Sequence, residues 1–141
     1  MTEPTRLLVV ANKTAESDEL LDALLERQAE GPVKVTLVVP ATWEVGDPRG
    51  GRQSARRHLA GALARLRDAG LEADGVVGDI DPYKAVRDAW ETGLFDEVIV
   101  STLPSRVSAW LRIDLPHRVE RLTGGAPVTH ITGSEAHATV A

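Results

Sequence analysis

A chain of 141 residues, 43% hydrophobic and 26% charged, is long enough to bury one continuous core and too apolar for wholesale disorder. Its formal net charge of −5 argues against nucleic acid as a partner, because a protein that grips a phosphate backbone carries a basic excess. The absence of cysteine excludes disulfides, thiol nucleophiles and thiolate-bound metals. No apolar run approaches the length of a membrane span, and Met1 to Thr5 lacks a basic region leading into an apolar stretch. The expectation is therefore no membrane association, no secretory leader and, by elimination, a cytoplasmic location.

In chain order, Leu7–Ala11 is a continuous apolar run of the kind that a central strand shows when both its faces are covered. A helix is predicted from about Glu16 or Ser17 to Glu30, with Leu20, Leu21, Leu24 and Leu25 on one face, ending at Gly31. Val33–Val39 reads as a second strand. The connection Pro40 to Gln53, rich in glycine and proline, is the longest loop, with Trp43 as a candidate lid. A second helix from about Ser54 to Ala69 groups Ala55, Leu59, Ala62, Leu63 and Leu66 before Gly70.

Leu71–Val77 interrupts its apolar pattern with Glu72, Asp74 and Gly75, as an edge strand does. Asp81 as N-cap and Pro82 at the first helical position open a third helix, striped by Ala85, Val86, Ala89 and Trp90 and closed by Gly93. Val98–Val100 is a second central-type run. The fourth helical region is broken: Val107, Trp110 and Leu111 suit a short helix, and Asp114-Leu115-Pro116 reads as a cap and restart before Val119 and Leu122. After Gly124–Gly125, Val128–Thr132 alternates like a second edge, and Gly133 to Ala141 forms a short polar tail.

Strands alternating with helices, each helix running into a glycine suited to a left-handed C-cap, predict a three-layer α/β/α domain over residues 1–132. The sheet is expected to be doubly wound, five-stranded and parallel, in the order 3-2-1-4-5. That order puts strands three and five at the edges, where their polar residues belong, whereas 2-1-3-4-5 would bury strand three.

Open parallel sheets bind ligands beyond the carboxyl ends of their strands, where the strand order reverses. Here that crevice lies between strands one and four. Its lips are Asn12, Lys13 and Thr14 on one side and Ser101, Thr102, Leu103 and Pro104 on the other, with Val38, Val39 and Pro40 as a neighbouring wall. Gly78, Ser105 and Arg106 complete the candidate set, Arg106 being close enough to the lip to swing over a ligand. A purely structural role is open for the same residues: Asn12 and Thr14 shaping a turn, Ser101 and Thr102 satisfying backbone groups.

Other clusters point less clearly to chemistry. Arg49, Arg52, Arg56 and Arg57 crowd the start of the second helix, either as an anion site or as a solvated basic stretch beside Glu44 and Asp47. His58, His117, His130 and His137 share no metal-ligand spacing, so no metal site is expected. There is no phosphate-cradling Gly-x4-Gly-Lys-Ser/Thr, no Gly-x-Gly-x-x-Gly and no Gly-x-Ser-x-Gly elbow, so no catalytic residue is assigned.

The apolar strand ending in Asn12 is one of several features that resemble the universal stress protein family. The others are Val77-Gly78-Asp79-Ile80-Asp81-Pro82, Asp96-Glu97-Val98-Ile99-Val100-Ser101-Thr102 and Ala126-Pro127-Val128-Thr129-His130-Ile131, in that order. The likeness runs from about Arg6 to Thr132. It implies a homodimer formed through the last strand, and ATP or AMP as the ligand in members that bind one. Those members carry Gly-x2-Gly-x9-Gly-Ser/Thr after strand four. Here Ser101 and Pro104 stand at the leading glycines, and the later pair falls near Ile113-Asp114 or Asp114-Leu115. Asn12 replaces the family's acidic residue at the end of strand one. Proline donates no N–H and Asp114 repels phosphate, so the usual triphosphate grip is missing. The function implied is a non-catalytic domain that takes a nucleotide or small polar ligand in the crevice. The alternatives are a ligand-free dimeric regulatory protein and a nucleotide-dependent hydrolase or transferase.

Overall fold

The computed structural model describes residues 3–41, 52–104 and 108–133. Five strands alternate with the helices: β1 Thr5–Val10, α1 Asp18–Glu30, β2 Val33–Pro40, α2 Arg52–Asp68, β3 Glu72–Gly78, α3 Pro82–Thr92, β4 Glu97–Thr102, α4 Ala109–Arg112, α5 Leu115–Thr123 and β5 Val128–Thr132. The strands form one sheet in the order β3-β2-β1-β4-β5. Every neighbouring pair is parallel. Fold class and strand order therefore agree with the sequence-based expectation.

Local chemistry sets the helix boundaries. Ser17 holds an extended backbone and its Oγ accepts the Leu20 N–H at 3.2 Å, satisfying one of the donors that a helix start leaves orphaned. Asp18 and Glu19 in the first turn and Arg27 in the last complement the α1 dipole. Asp81 caps α3 by accepting from the Tyr83 and Lys84 N–H groups, with Pro82 directly following. Asp114 departs from expectation. It precedes α5 in a left-handed conformation (φ 55) and caps no backbone group; its carboxylate instead meets His117 Nδ1 at 2.9 Å. Gly31, Gly70 and Gly124 take the positive φ expected of them (156, 89 and 62), but Gly93 is extended at φ −150. At Gly93 the requirement is space: a Cβ there would stand 3.2 Å from the Phe95 ring.

The two faces of the sheet carry separate cores. Leu7, Val9, Val35, Leu37 and Ile99 pack beneath α1 and α2 against Leu20, Leu24, Ala55, Ala62 and Leu66. Leu8, Val10, Val38, Val98 and Val100 point the other way, against Ala85 and Val86 of α3 and Leu115 and Val119 of α5. Successive side chains of a strand alternate between faces, so an unbroken apolar run feeds both layers at once. Leu7 to Val10 are all fully buried. At about 1.5–3 kcal/mol per buried aliphatic side chain, this strand and β2, whose Val35, Leu37, Val38 and Val39 are equally buried, contribute much of the burial energy of the fold. On the edges, Glu72 and Asp74 of β3 and His130 of β5 are exposed. Gly133, assigned from sequence to the tail, is buried, and its N–H donates to the Thr102 carbonyl. Residues 134–141 lie outside the described residues.

An ion pair ties α1, β4 and β5 together at the opposite end of the sheet from the crevice. Arg27 grips both Glu97 carboxylate oxygens, Nε at 2.9 Å and Nη2 at 2.6 Å, while Thr129 Oγ1 donates to Glu97 Oε2 at 2.6 Å. The Arg27 hydrogen bonds lower the Glu97 pKa against the opposing effect of burial, and the Thr129 bond lowers it further. A carboxylate whose pKa is depressed by folding stabilises the native state above its unfolded value. That contribution drains away as pH falls through the folded value. Glu97→Gln should cost about 1–3 kcal/mol at pH 7. In urea titrations, the gap between wild type and variant should narrow as pH is lowered below about 4. A gap that stays constant to pH 3 would contradict this linkage.

Candidate functional site

β1 pairs with β4 from Leu7↔Glu97 to Val10↔Val100. Since both strands point the same way, the polar residues that follow β1 lie beside those that end β4. Ala11 N–H still bonds the Val38 carbonyl, and the chain then turns through Asn12 to Ala15 and Thr14 to Ser17 backbone bonds into α1. This turn drops Thr14 onto β4: its Oγ1 lies 2.6 Å from Ser101 Oγ, and both residues are 1% exposed. A cavity of about 200 Å³ opens above the pair.

Of the candidate residues, Asn12, Lys13, Thr14, Ser101 and Thr102 line that cavity together. Leu103, placed on the lip by sequence, also lines it. Ser108, Ala109 and Trp110 also line it, although Trp110 reads from sequence as a packing residue of a short helix. The available signal was the break at Asp114-Leu115-Pro116. It cuts α4 to 4 residues, and two of them, Ala109 and Trp110, line the cavity together with Ser101 and Thr102 of β4.

Val38, Pro40 and Gly78 are not brought into the cavity. Val38 is fully buried among the side chains beneath α3. Pro40 contributes through its backbone, its carbonyl accepting from Asn12 Nδ2 at 3.2 Å, which braces the first lip against β2. Gly78 answers a packing need, because a Cβ there would stand 2.6 Å from that of Ala85 and block the approach of α3. Ser105, Arg106, Trp43 and Arg49 lie outside the described residues.

Much of the hydroxyl chemistry is already engaged. Thr102 Oγ1 donates to the Leu103 carbonyl at 2.8 Å, so the 2.7 Å contact with His130 requires Nε2–H of the imidazole to be the donor. Desolvation of its ring holds the His130 pKa below its ordinary value. Ser108 Oγ caps α4 by accepting from the Leu111 N–H. Lys13 is exposed and is the one cation among the described lining residues. Among the described residues no three His, Asp or Glu side chains gather to hold a metal ion.

No family model matches the sequence, and no curated protein matches it. Solved structures do. The chain superimposes on a universal stress protein from Archaeoglobus fulgidus with a TM-score of 0.65 and 16% identity, covering 91% of this chain and 93% of that one. This is the universal stress protein fold. A second universal stress protein structure from the same organism, in complex with dAMP, gives a TM-score of 0.61 at 15% identity, covering 94% of this chain and 100% of that one. A universal stress protein in complex with cAMP gives 0.58 at 19% identity, with the same coverages of 94% and 100%. At such identities the shared property is the fold.

The Thr14–Ser101 bond makes a quantitative prediction. Each hydroxyl is buried, so removing one partner leaves the other short of a bond, at about 1–3 kcal/mol. Thr14→Val and Ser101→Ala should each destabilise by that amount in urea unfolding. The double variant should cost less than the sum, with a coupling of about 1 kcal/mol. Strict additivity would mean that the two hydroxyls do not interact.

Proposed function

We propose that this chain is a universal stress protein-like, non-catalytic binding domain of the cytoplasm that takes a nucleotide or small polar ligand in the cavity between the ends of β1 and β4. One observation carries the reading: the cavity sits where the strand order reverses, lined by Asn12, Lys13, Thr14, Ser101 and Thr102. The complexes of similarly folded proteins with dAMP and cAMP support a nucleotide as one ligand class. Ser101 and Pro104 in place of glycines argue against a close backbone grip on a triphosphate.

The Thr14–Ser101 contact favours a second reading, a regulatory protein that binds no ligand and satisfies its crevice internally. In either case the domain would pair with a second copy through β5. Among the described residues that strand bonds only β4, which leaves one edge of its backbone without a strand partner there. No nucleic-acid partner is expected of a chain with net charge −5, and no described helix is long and apolar enough to cross a membrane.

A thermal-shift screen with AMP, dAMP, cAMP and ATP tests the binding reading. A ligand at one hundred times its dissociation constant stabilises by about 2.7 kcal/mol, which should raise Tm by about 5 °C or more. Asn12→Ala and Ser101→Ala should abolish the shift. If neither these nucleotides nor smaller polar ligands shift the wild type, the ligand-free reading takes its place. Sedimentation at micromolar concentration should show a dimer, and a monomer there would remove the β5 pairing.

A further inference from the structure

The sheet has a second edge, β3, and we infer that Arg67 guards it: its guanidinium occupies the Ala73 carbonyl and so keeps β3 from pairing with β3 of a second copy of this chain. An edge strand offers unpaired N–H and C=O groups to any strand that approaches, and native proteins cover or interrupt that row. This edge is the far one from β5, and its protection is independent of the crevice.

The ladder decides which groups of β3 face outward. β3 pairs with β2 in parallel, and the Ala41 N–H donates to the Gly78 carbonyl at 3.1 Å, so Gly78 faces β2. Successive residues of a strand alternate in direction. Asp74 and Val76 therefore face β2 as well, while Ala73, Gly75 and Val77 turn their backbone groups to the free edge. Arg67 meets the first of these, Nε and Nη2 donating to the Ala73 carbonyl at 3.0 and 2.8 Å. Among the described residues no hydrogen bond from another element reaches the backbone of Gly75 or Val77.

The turn between helix and strand puts Arg67 in reach. It lies in the last turn of α2, next to the buried Leu66. Gly70, at φ 89, then reverses the chain, and the Leu71 N–H returns to the Leu66 carbonyl. A guanidinium bridges the remaining gap with two donors on one oxygen, and charge-assisted bonds of this kind are the strong ones.

Symmetry makes a single cap effective. Copies of an edge strand related by a two-fold axis run antiparallel, and each contact then occurs twice. In the register with the most pairs, centred on Gly75, Ala73 of either copy stands opposite Val77 of the other, and Gly75 opposite itself. Each such pair exchanges N–H···O bonds in both directions. With the Ala73 carbonyl taken, the ladder is closed at both ends and only the Gly75 pair is left, at a residue that weakens a strand. The attraction that the guard opposes lies next to it: Val76 is 51% exposed, a large apolar side chain on the edge strand.

The test compares the wild-type full-length chain with Arg67→Met, which keeps the aliphatic stem and loses both donors, and with Arg67→Ala. Sedimentation velocity and residue-resolved hydrogen exchange are followed over a concentration series, and far-UV circular dichroism verifies the fold of each variant. In the wild type the Gly75 and Val77 amides should exchange as exposed groups do. Protection there would mean that something else covers the edge, which overturns the inference. Both variants should form a species of about twice the wild type's mass, at concentrations where the wild type does not. In that species the Gly75 and Val77 amides should exchange about tenfold more slowly. Adding Val77→Pro, which removes an outward N–H where an edge strand tolerates proline, should restore the wild-type mass. A folded variant that sediments like the wild type throughout leaves Arg67 as a brace of the α2–β3 turn and overturns the inference. Association that leaves those amides unprotected, or that survives Val77→Pro, overturns it as well. Each variant is read against the wild type's own state, so a wild-type monomer would remove the β5 pairing and leave this result standing.

Discussion

The parallel pairing of β1 with β4 is the constraint on which the remaining structure depends. Both strands are covered on both faces, and their side chains feed the cores beneath α1 and α2 and beneath α3 and α5 together. The pair is also where the sheet changes direction of growth: β2 and β3 are added on one side, β5 on the other. Connections on the two sides leave over opposite faces, so the loops after β1 and β4 part from each other and leave a gap. The gap is a consequence of topology. The residues that fill its walls decide whether it binds anything.

Those residues balance two demands. Thr14 and Ser101 are buried and satisfy each other, Asn12 braces β2 through the Pro40 carbonyl, and Thr102 connects the lip to His130 on the edge strand. Each contact stabilises the scaffold and reduces the number of donors that face the cavity. In similarly folded proteins bound to dAMP and cAMP the fold holds a nucleotide. Here Asp114 precedes α5 in a left-handed conformation, and its carboxylate meets His117 in the first turn without capping a backbone N–H.

Much of the fold was legible in the sequence because its determinants are local. Ser17, Asp81-Pro82 and the glycines at 70 and 124 mark helix ends by chemistry confined to a few residues. The polar interruptions Glu72, Asp74 and Gly75 mark β3 as an edge, which decided the strand order. The long-range contacts were not legible in this way. Arg27 and Glu97 stand 70 residues apart, and nothing near either one specifies the other. Val38 looked like a wall residue because it ends an apolar strand, but period-two alternation sends it beneath α3. Gly78 reads from sequence as a candidate site residue, whereas its lack of a side chain serves the packing of Ala85. Trp110 was missed for the opposite reason: tryptophan in a helix is usually core, and only the shortness of α4 puts this one at the crevice.

The absence of cysteine permits a direct test of the arrangement. Thr14→Cys and Ser101→Cys introduced together place two sulfur atoms where the hydroxyl oxygens now lie 2.6 Å apart, near the length of a disulfide bond, about 2.05 Å. Mild oxidation of the folded double variant should close an intramolecular cross-link nearly completely, and the same treatment in denaturant should not. If the two thiols instead stayed unlinked and both reacted with maleimide after denaturation, the side chains at positions 14 and 101 would not adjoin, and the crevice built on their contact would be lost.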